Sequence, residues 1–147
     1  MPSIRCNASI ARRYYRGMER RLISGHSPFE AVAGFSRAVV VGSTVHVAGT
    51  APIPADGSPT PESAYDQARL CLEIIAEALE RAGSSVDEVV RTRMFVTDRA
   101  HWPDVSRAHG EVFGETRPAA TCVVASLLDP SWKVEIEAEA VIASASR

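Results

Sequence analysis

One helix constrains what this chain can fold into more than any other feature. Tyr65, Ala68, Leu72, Ile75 and Leu79 recur at three- and four-residue intervals and form a single apolar stripe. Thr60-Pro61-Glu62 ahead of the stripe reads as an N-cap, a proline at the first helical position and an early acid. Gly83 is a natural stop at the other end. A helix with one apolar stripe has to bury it against a second layer.

The rest of the chain supplies a sheet for that layer. Residues 20–24 read as a first strand. Residues 38–41 and 45–48 are β-branched runs separated by Gly42-Ser43, the pattern of a tight hairpin. Residues 49–61 are rich in Pro, Gly and Ser and form a loop. Residues 89–97 alternate, with Val90, Met94 and Val96 assigned to one face and Arg91, Arg93 and Phe95 to the other. Val105, His109, Val112 and Phe113 mark a second helix ending near Gly114. Residues 121–127 are a strand, Asp129-Pro130 a turn, and residues 133–142 a last strand. The order is three strands, helix, strand, helix, two strands. It predicts an α+β fold, a mixed sheet with two helices packed on one face, in a single domain over residues 18–147.

Residues 1–17 stand apart, with Arg5, Arg12, Arg13 and Arg16 and no acid before Glu19. Such a start reads as an organelle-targeting peptide, as a disordered tail, or as sequence upstream of a natural start at Met18.

Charge and cysteine usage exclude several functions. The 147 residues carry 16 Lys and Arg against 18 Asp and Glu, a net charge of -2, so no basic footprint for nucleic acid is expected. No apolar run reaches the roughly 18 residues of a membrane span, so no membrane partner is expected. Cys6, Cys71 and Cys122 are widely spaced and form no CxxC pair, which suggests neither a zinc site nor a disulfide framework. A cytoplasmic, reducing setting follows. No glycine-rich phosphate loop or Ser-His-Asp order stands out, and no cofactor or metal is expected. His46 and His109 lack metal-ligand spacing. His109, on the apolar stripe of the second helix, reads as a core or interface residue. Trp132 reads either as a cover over a pocket edge or as the aromatic anchor of its turn.

Acids dominate the last strand. Glu135, Glu137 and Glu139 alternate with Ile136, Ala138 and Ala140 and share one face, roughly 7 Å apart along it. Arg91 and Arg93 form a matching basic pair. Cross-strand ion pairs are the simple expectation for Glu137 and Glu139, at roughly 0.2–1 kcal/mol per pair. Cys122 would need a nearby base or a lowered pKa to act as a nucleophile, and no histidine lies beside it in sequence. A small buried hydrophobe is the alternative.

The segment Arg117-Pro118-Ala119-Ala120-Thr121-Cys122, with Glu135 thirteen residues after Cys122, resembles the signature of the RidA/YjgF family of imine deaminases. Phe35-Ser36-Arg37-Ala38-Val39, Val47-Ala48-Gly49, residues 82–92 and Phe95-Val96-Thr97-Asp98 extend the likeness in order over residues 18–143. The resemblance implies a chorismate-mutase-like fold. It further implies a homotrimer whose sheets form a central barrel, and small-molecule clefts between subunits. Family members commonly begin about where Met18 stands. The resemblance makes Glu135 the group that positions or activates water. It makes Phe35, Arg37, Ala48, Gly49, Ala120, Thr121 and Cys122 substrate-binding positions. Where the family has an arginine that forks a substrate carboxylate, this chain has Ala120. A tyrosine position is Phe35 and a serine position is Ala48. The expected pocket is therefore more apolar than a deaminase pocket, with Arg37 or Arg117 as the candidate replacement cation. Arg117 would have the opposite pleat parity to Ala120 if one strand ran through both. Two readings follow: hydrolysis of a non-standard imine or enamine by Glu135, or a non-catalytic metabolite-binding member. Ribonuclease activity, associated with some relatives, fits poorly with so weak a basic character.

Overall fold

A computed structural model describes residues 19–143. The expectations for residues 1–17 lie outside the described residues. Six strands and three helices run in the order β1 (Arg20–Ile23), α1 (Glu30–Ala33), β2 (Ala38–Val41), β3 (Thr44–Thr50), α2 (Ala64–Arg81), β4 (Val89–Val96), α3 (Trp102–Phe113), β5 (Ala119–Val124) and β6 (Val134–Val141). The sheet order is β1-β2-β3-β6-β4-β5. All pairs are antiparallel except β4 with β5. The result is the expected α+β architecture. α2 and α3 pack on one face, and their stripe residues Ala68, Leu72, Ile75, Leu79, Val105, Ala108 and Phe113 join Val45, Val47, Met94, Ile136 and Ala138 in one core.

Several local expectations are corrected. α2 starts at Ala64, not at Pro61, because Ser63 is the better cap. Its hydroxyl oxygen accepts from the Asp66 N–H at 3.0 Å and donates to the Asp66 carboxylate at 2.6 Å. α1, only four residues long and closed by Gly34 at φ 73°, leaves no periodicity to read. In β4 a register shift between Val89 and Arg91 turns Val89 inward and leaves Val90 exposed, so Thr92, not Val90, shares the core face with Met94 and Val96. β5 runs from Ala119 to Val124, and Arg117 precedes it in the left-handed region at φ 51°. Arg117 therefore lies outside the strand and has no pleat parity with Ala120.

Arg93 pairs with Glu137 at 3.1 Å and Glu139 at 3.3 Å across the β4–β6 register, as expected for a cross-strand network. His109 is partly buried at the edge of the core. Its Nε2 lies 2.9 Å from the hydroxyl of buried Thr92, its ring packs on Phe113, and burial pushes its pKa down. No helix of the described residues is long and apolar enough to cross a membrane.

Candidate functional site

The sheet has one second irregularity, and the candidate site is built on it. Between Val47 and Thr50, three steps along β3 match two along β6, since Val47 pairs with Ala138 and Thr50 with Ile136. The extra residue makes a bulge at Ala48-Gly49. It brings the Gly49 backbone directly under the Glu135 side chain. A Cβ at position 49 would lie 2.3 Å from Glu135 Oε1 and 3.3 Å from its Cδ. Gly49 is thus the residue that leaves room for this carboxylate.

Arg37 closes the same corner. It precedes β2 and is 8% exposed. Its Nη2 donates to the Gly49 carbonyl at 2.7 Å, while Nε is buried with no partner among the described residues. Burial lowers its pKa, opposed by the charges of Glu30, Cys71 and Glu135. Glu30 is fixed in turn by the Gly25 N–H, which donates to its Oε1 at 2.8 Å. Beneath the pair, the fully buried Cys71 thiol is pushed far up by loss of solvent. It is a packing residue with no thiolate to offer.

The half-buried Glu135 carboxyl is held above the ordinary carboxylate range. Burial is the main cause, Arg37 opposes it and Glu137 adds to it. Burial therefore outweighs the adjacent cation, and the group stays ready to exchange a proton nearer neutral pH than a surface acid would. A carboxyl of this kind can hold a water as a base and return the proton as an acid.

Glu135, Arg37, Gly49, Ala48 and Phe35 line one cleft of about 1010 Å³. One wall comes from α2 through Ile74, Glu77, Ala78 and Arg81, another from the α1 segment, and the rim from Leu128, Asp129 and Trp132. Sequence reading missed the α2 residues and also Gln67. That side chain is 1% exposed and makes three hydrogen bonds. Its Nε2 donates to the carbonyls of Pro61 at 2.7 Å and Ser131 at 2.9 Å, and its Oε1 accepts from the Lys133 N–H at 2.7 Å. Gln67 thereby ties the Trp132 turn to α2. Its only sequence signal is a polar residue within the buried side of that helix.

Ala120, Thr121 and Cys122 are not in this cleft. They lie on β5, at the edge of the sheet, with β4 between them and β6. Thr121 pairs with Arg93, which pairs with Glu137, so two strand spacings and two residues separate it from Glu135, about 12 Å. Ala120 and Cys122 pair with Thr92 and Met94, whose side chains are in the core. They therefore point to the helix side, away from the acid face. Cys122 packs partly against the core, and burial raises its thiol pKa, as expected of a small hydrophobe and not of a nucleophile. No group of three or more His, Cys, Asp or Glu that could hold a metal occurs among the described residues.

A family model described as endoribonuclease L-PSP matches residues 25–142. The structure of Rv2704 from Mycobacterium tuberculosis, a member of the YjgF/YER057c/UK114 family, matches with a TM-score of 0.77 and 38% identity over 84% of this chain and 100% of that one. The uncharacterized protein SCO2049 of Streptomyces coelicolor is 36% identical over 122 residues, 82% of this chain and 90% of that protein. TdcF of Escherichia coli K12, whose name places it with the reactive intermediate deaminases, is 32% identical over 114 residues, 76% of this chain and 88% of TdcF.

Proposed function

Because the chain belongs to the RidA/YjgF family, the endoribonuclease L-PSP family of the matching model, we propose that it is a deaminase-like hydrolase. It converts an imine, or the imine tautomer of an enamine, to a carbonyl compound and ammonia. The observation that carries this reading is the Glu135 carboxyl, raised in proton affinity by burial and seated against Gly49 beside Arg37 in the cleft.

In the proposed reaction, ionised Glu135 takes a proton from water as the water oxygen bonds to the C=N carbon. The C=N π electrons move to nitrogen, and protonated Glu135 returns its proton there. Glu135 then takes the carbinolamine hydroxyl proton and passes it to the nitrogen; as the C=O bond forms the C–N bond breaks and ammonia leaves. Imine and water thus balance carbonyl and ammonia. The Arg37 charge opposes the effect of burial and so favours the ionised form that begins the reaction.

The substrate differs from a simple 2-imino acid. Ala120 offers no charge where the related deaminases fork a carboxylate, and losing such a partner costs roughly 2–5 kcal/mol of binding. Within one chain β5 is also remote from the cleft, so its part in binding requires a second copy. We propose a cytoplasmic homotrimer in which β5 of one subunit borders the cleft of the next. Val123, Val124 and Leu128 are 45%, 59% and 94% exposed and provide apolar surface for such a contact. The reading involves no cofactor, membrane or nucleic acid. A net charge of -2 gives an RNA backbone little attraction. A second reading, a metabolite-binding member without deaminase activity, draws its support from the apolar residues Phe35, Ala48 and Ala120.

The test is hydrolysis of freshly generated 2-iminopropanoate, 2-iminobutanoate and benzophenone imine, with semicarbazide trapping residual aliphatic imine. Acceleration of at least one, lost in Glu135→Gln, supports the hydrolase. Acceleration of none refutes it in favour of the binding protein.

A further inference from the structure

The cleft is far larger than its chemistry requires. Clefts of roughly 300–1,000 Å³ take drug-sized ligands, and this one measures about 1010 Å³. Within one chain, a three- or four-carbon imine at Glu135 would leave most of it unfilled. Glu135 and Arg37 occupy the corner at Gly49, while Phe29, Phe35, Ile53, Ile74 and Trp132 supply large apolar surface to the remainder, alongside the charged Glu77, Arg81 and Asp129. Phe29 and Phe35 are 55% and 37% exposed in the chain. Such large apolar side chains around a concavity mark a ligand surface. At the corner itself, Arg37 spends one N–H on Gly49 and leaves Nε buried without a partner among the described residues.

We propose that the cleft selects an amphipathic ligand. Its C=N end lies against Glu135, and an aromatic or similarly bulky apolar body packs along Phe29, Phe35, Ile74 and Trp132. This inference rests on the reading of Glu135 above for which end of the ligand faces the corner. The apolar limb is continuous with the charged corner, so one molecule spans both. The Gln67 anchor holds the Trp132 side of the limb rigidly to α2, which keeps the limb open for its occupant.

Three methyl ketones of increasing size separate the possibilities: acetone, acetophenone and 2-acetonaphthone. Each is the carbonyl product of the corresponding N–H imine and carries no carboxylate. Their binding to the full chain in its native assembly is measured by isothermal titration calorimetry. Each added ring should tighten binding at least about tenfold, from the apolar area it removes from water. Ile74→Trp, which fills the limb, should abolish the dependence on size, and Phe35→Ala, a milder change in case the first fails to fold, should weaken it. Glu135→Gln should retain it. Equal affinity for all three ketones overturns the inference, and this is also the outcome if a second copy already fills the limb. Size-dependent binding without hydrolysis of any imine leaves the limb standing and overturns the catalytic reading of Glu135.

Discussion

Gly49→Ala isolates the placement of the Glu135 carboxylate from everything else in the fold. The added Cβ would meet Oε1 at 2.3 Å, whereas a comfortable carbon–oxygen contact is about 3.5 Å. The carboxyl group must therefore move by about 1 Å or turn away from the corner. Position 49 has no positive φ, so alanine costs little in the backbone and restricts the unfolded chain, a gain of about 0.4–1 kcal/mol. An off-rotamer Glu135 costs a similar amount, about 0.5–1.5 kcal/mol. Stability should stay within about 1 kcal/mol of the parent. Catalysis should not, because a misplacement of about 1 Å can cost on the order of 100-fold. The assay is kcat/KM for imine hydrolysis beside thermal unfolding of the same samples. A folded Gly49→Ala protein with the parent's kcat/KM would refute the claim that this glycine sets the position of a working carboxylate. A large loss of stability would refute the assignment of the clash to a movable side-chain end.

Three further outcomes follow from the same geometry. Gln67→Leu keeps the volume but strands two carbonyls and an N–H; it should lower stability by about 3 kcal/mol in denaturant unfolding and raise KM through the loosened Trp132 turn. Gly110→Ala, on the exposed side of α3 with nothing near the new Cβ, should raise stability by about 0.5–1 kcal/mol and leave kcat/KM unchanged. Ala120→Arg should raise kcat/KM for 2-iminobutanoate at least about tenfold by supplying a carboxylate partner. Because β5 and the cleft are apart within one chain, that gain should appear only in the oligomer, as light scattering on sized fractions would show.

The sheet and its two main helices were legible because their signals are local. α2 announces itself by its stripe, and the β2–β3 hairpin by Gly42-Ser43 between β-branched runs. What escaped was set by tertiary fit. Ser63 displaces Thr60 as the cap because Asp66, three residues on, both donates its N–H to the Ser63 hydroxyl and accepts from it with its carboxylate. The shift at Val89 follows from pairing with β6, fifty residues away, and reverses the face of Val90. In the cleft, Phe35, Arg37, Ala48, Gly49 and Glu135 converge because β3 and β6 are neighbours in the sheet. Ala120, Thr121 and Cys122 sit close to Glu135 in sequence, yet β4 inserts between β5 and β6 and separates them. Strand order is not written in any local pattern, and neither is the use of Ile74 and Ala78 as a cleft wall, since a helix stripe looks alike whether it meets a core or a ligand.

The account stands or falls on Glu135 as the group that handles water. Its carboxyl carbon can be titrated directly by carbon-13 NMR in protein labelled at glutamate, assigned with Glu135→Gln, beside the pH dependence of kcat/KM. A raised folded-state pKa means that the active, ionised form is lost as pH falls through a value above the ordinary 4.3 or so of glutamate. The account predicts a Glu135 midpoint above that value, coincident with the acid limb of the rate profile. A midpoint at or below it, or an acid limb unchanged in Glu135→Gln, would contradict the account.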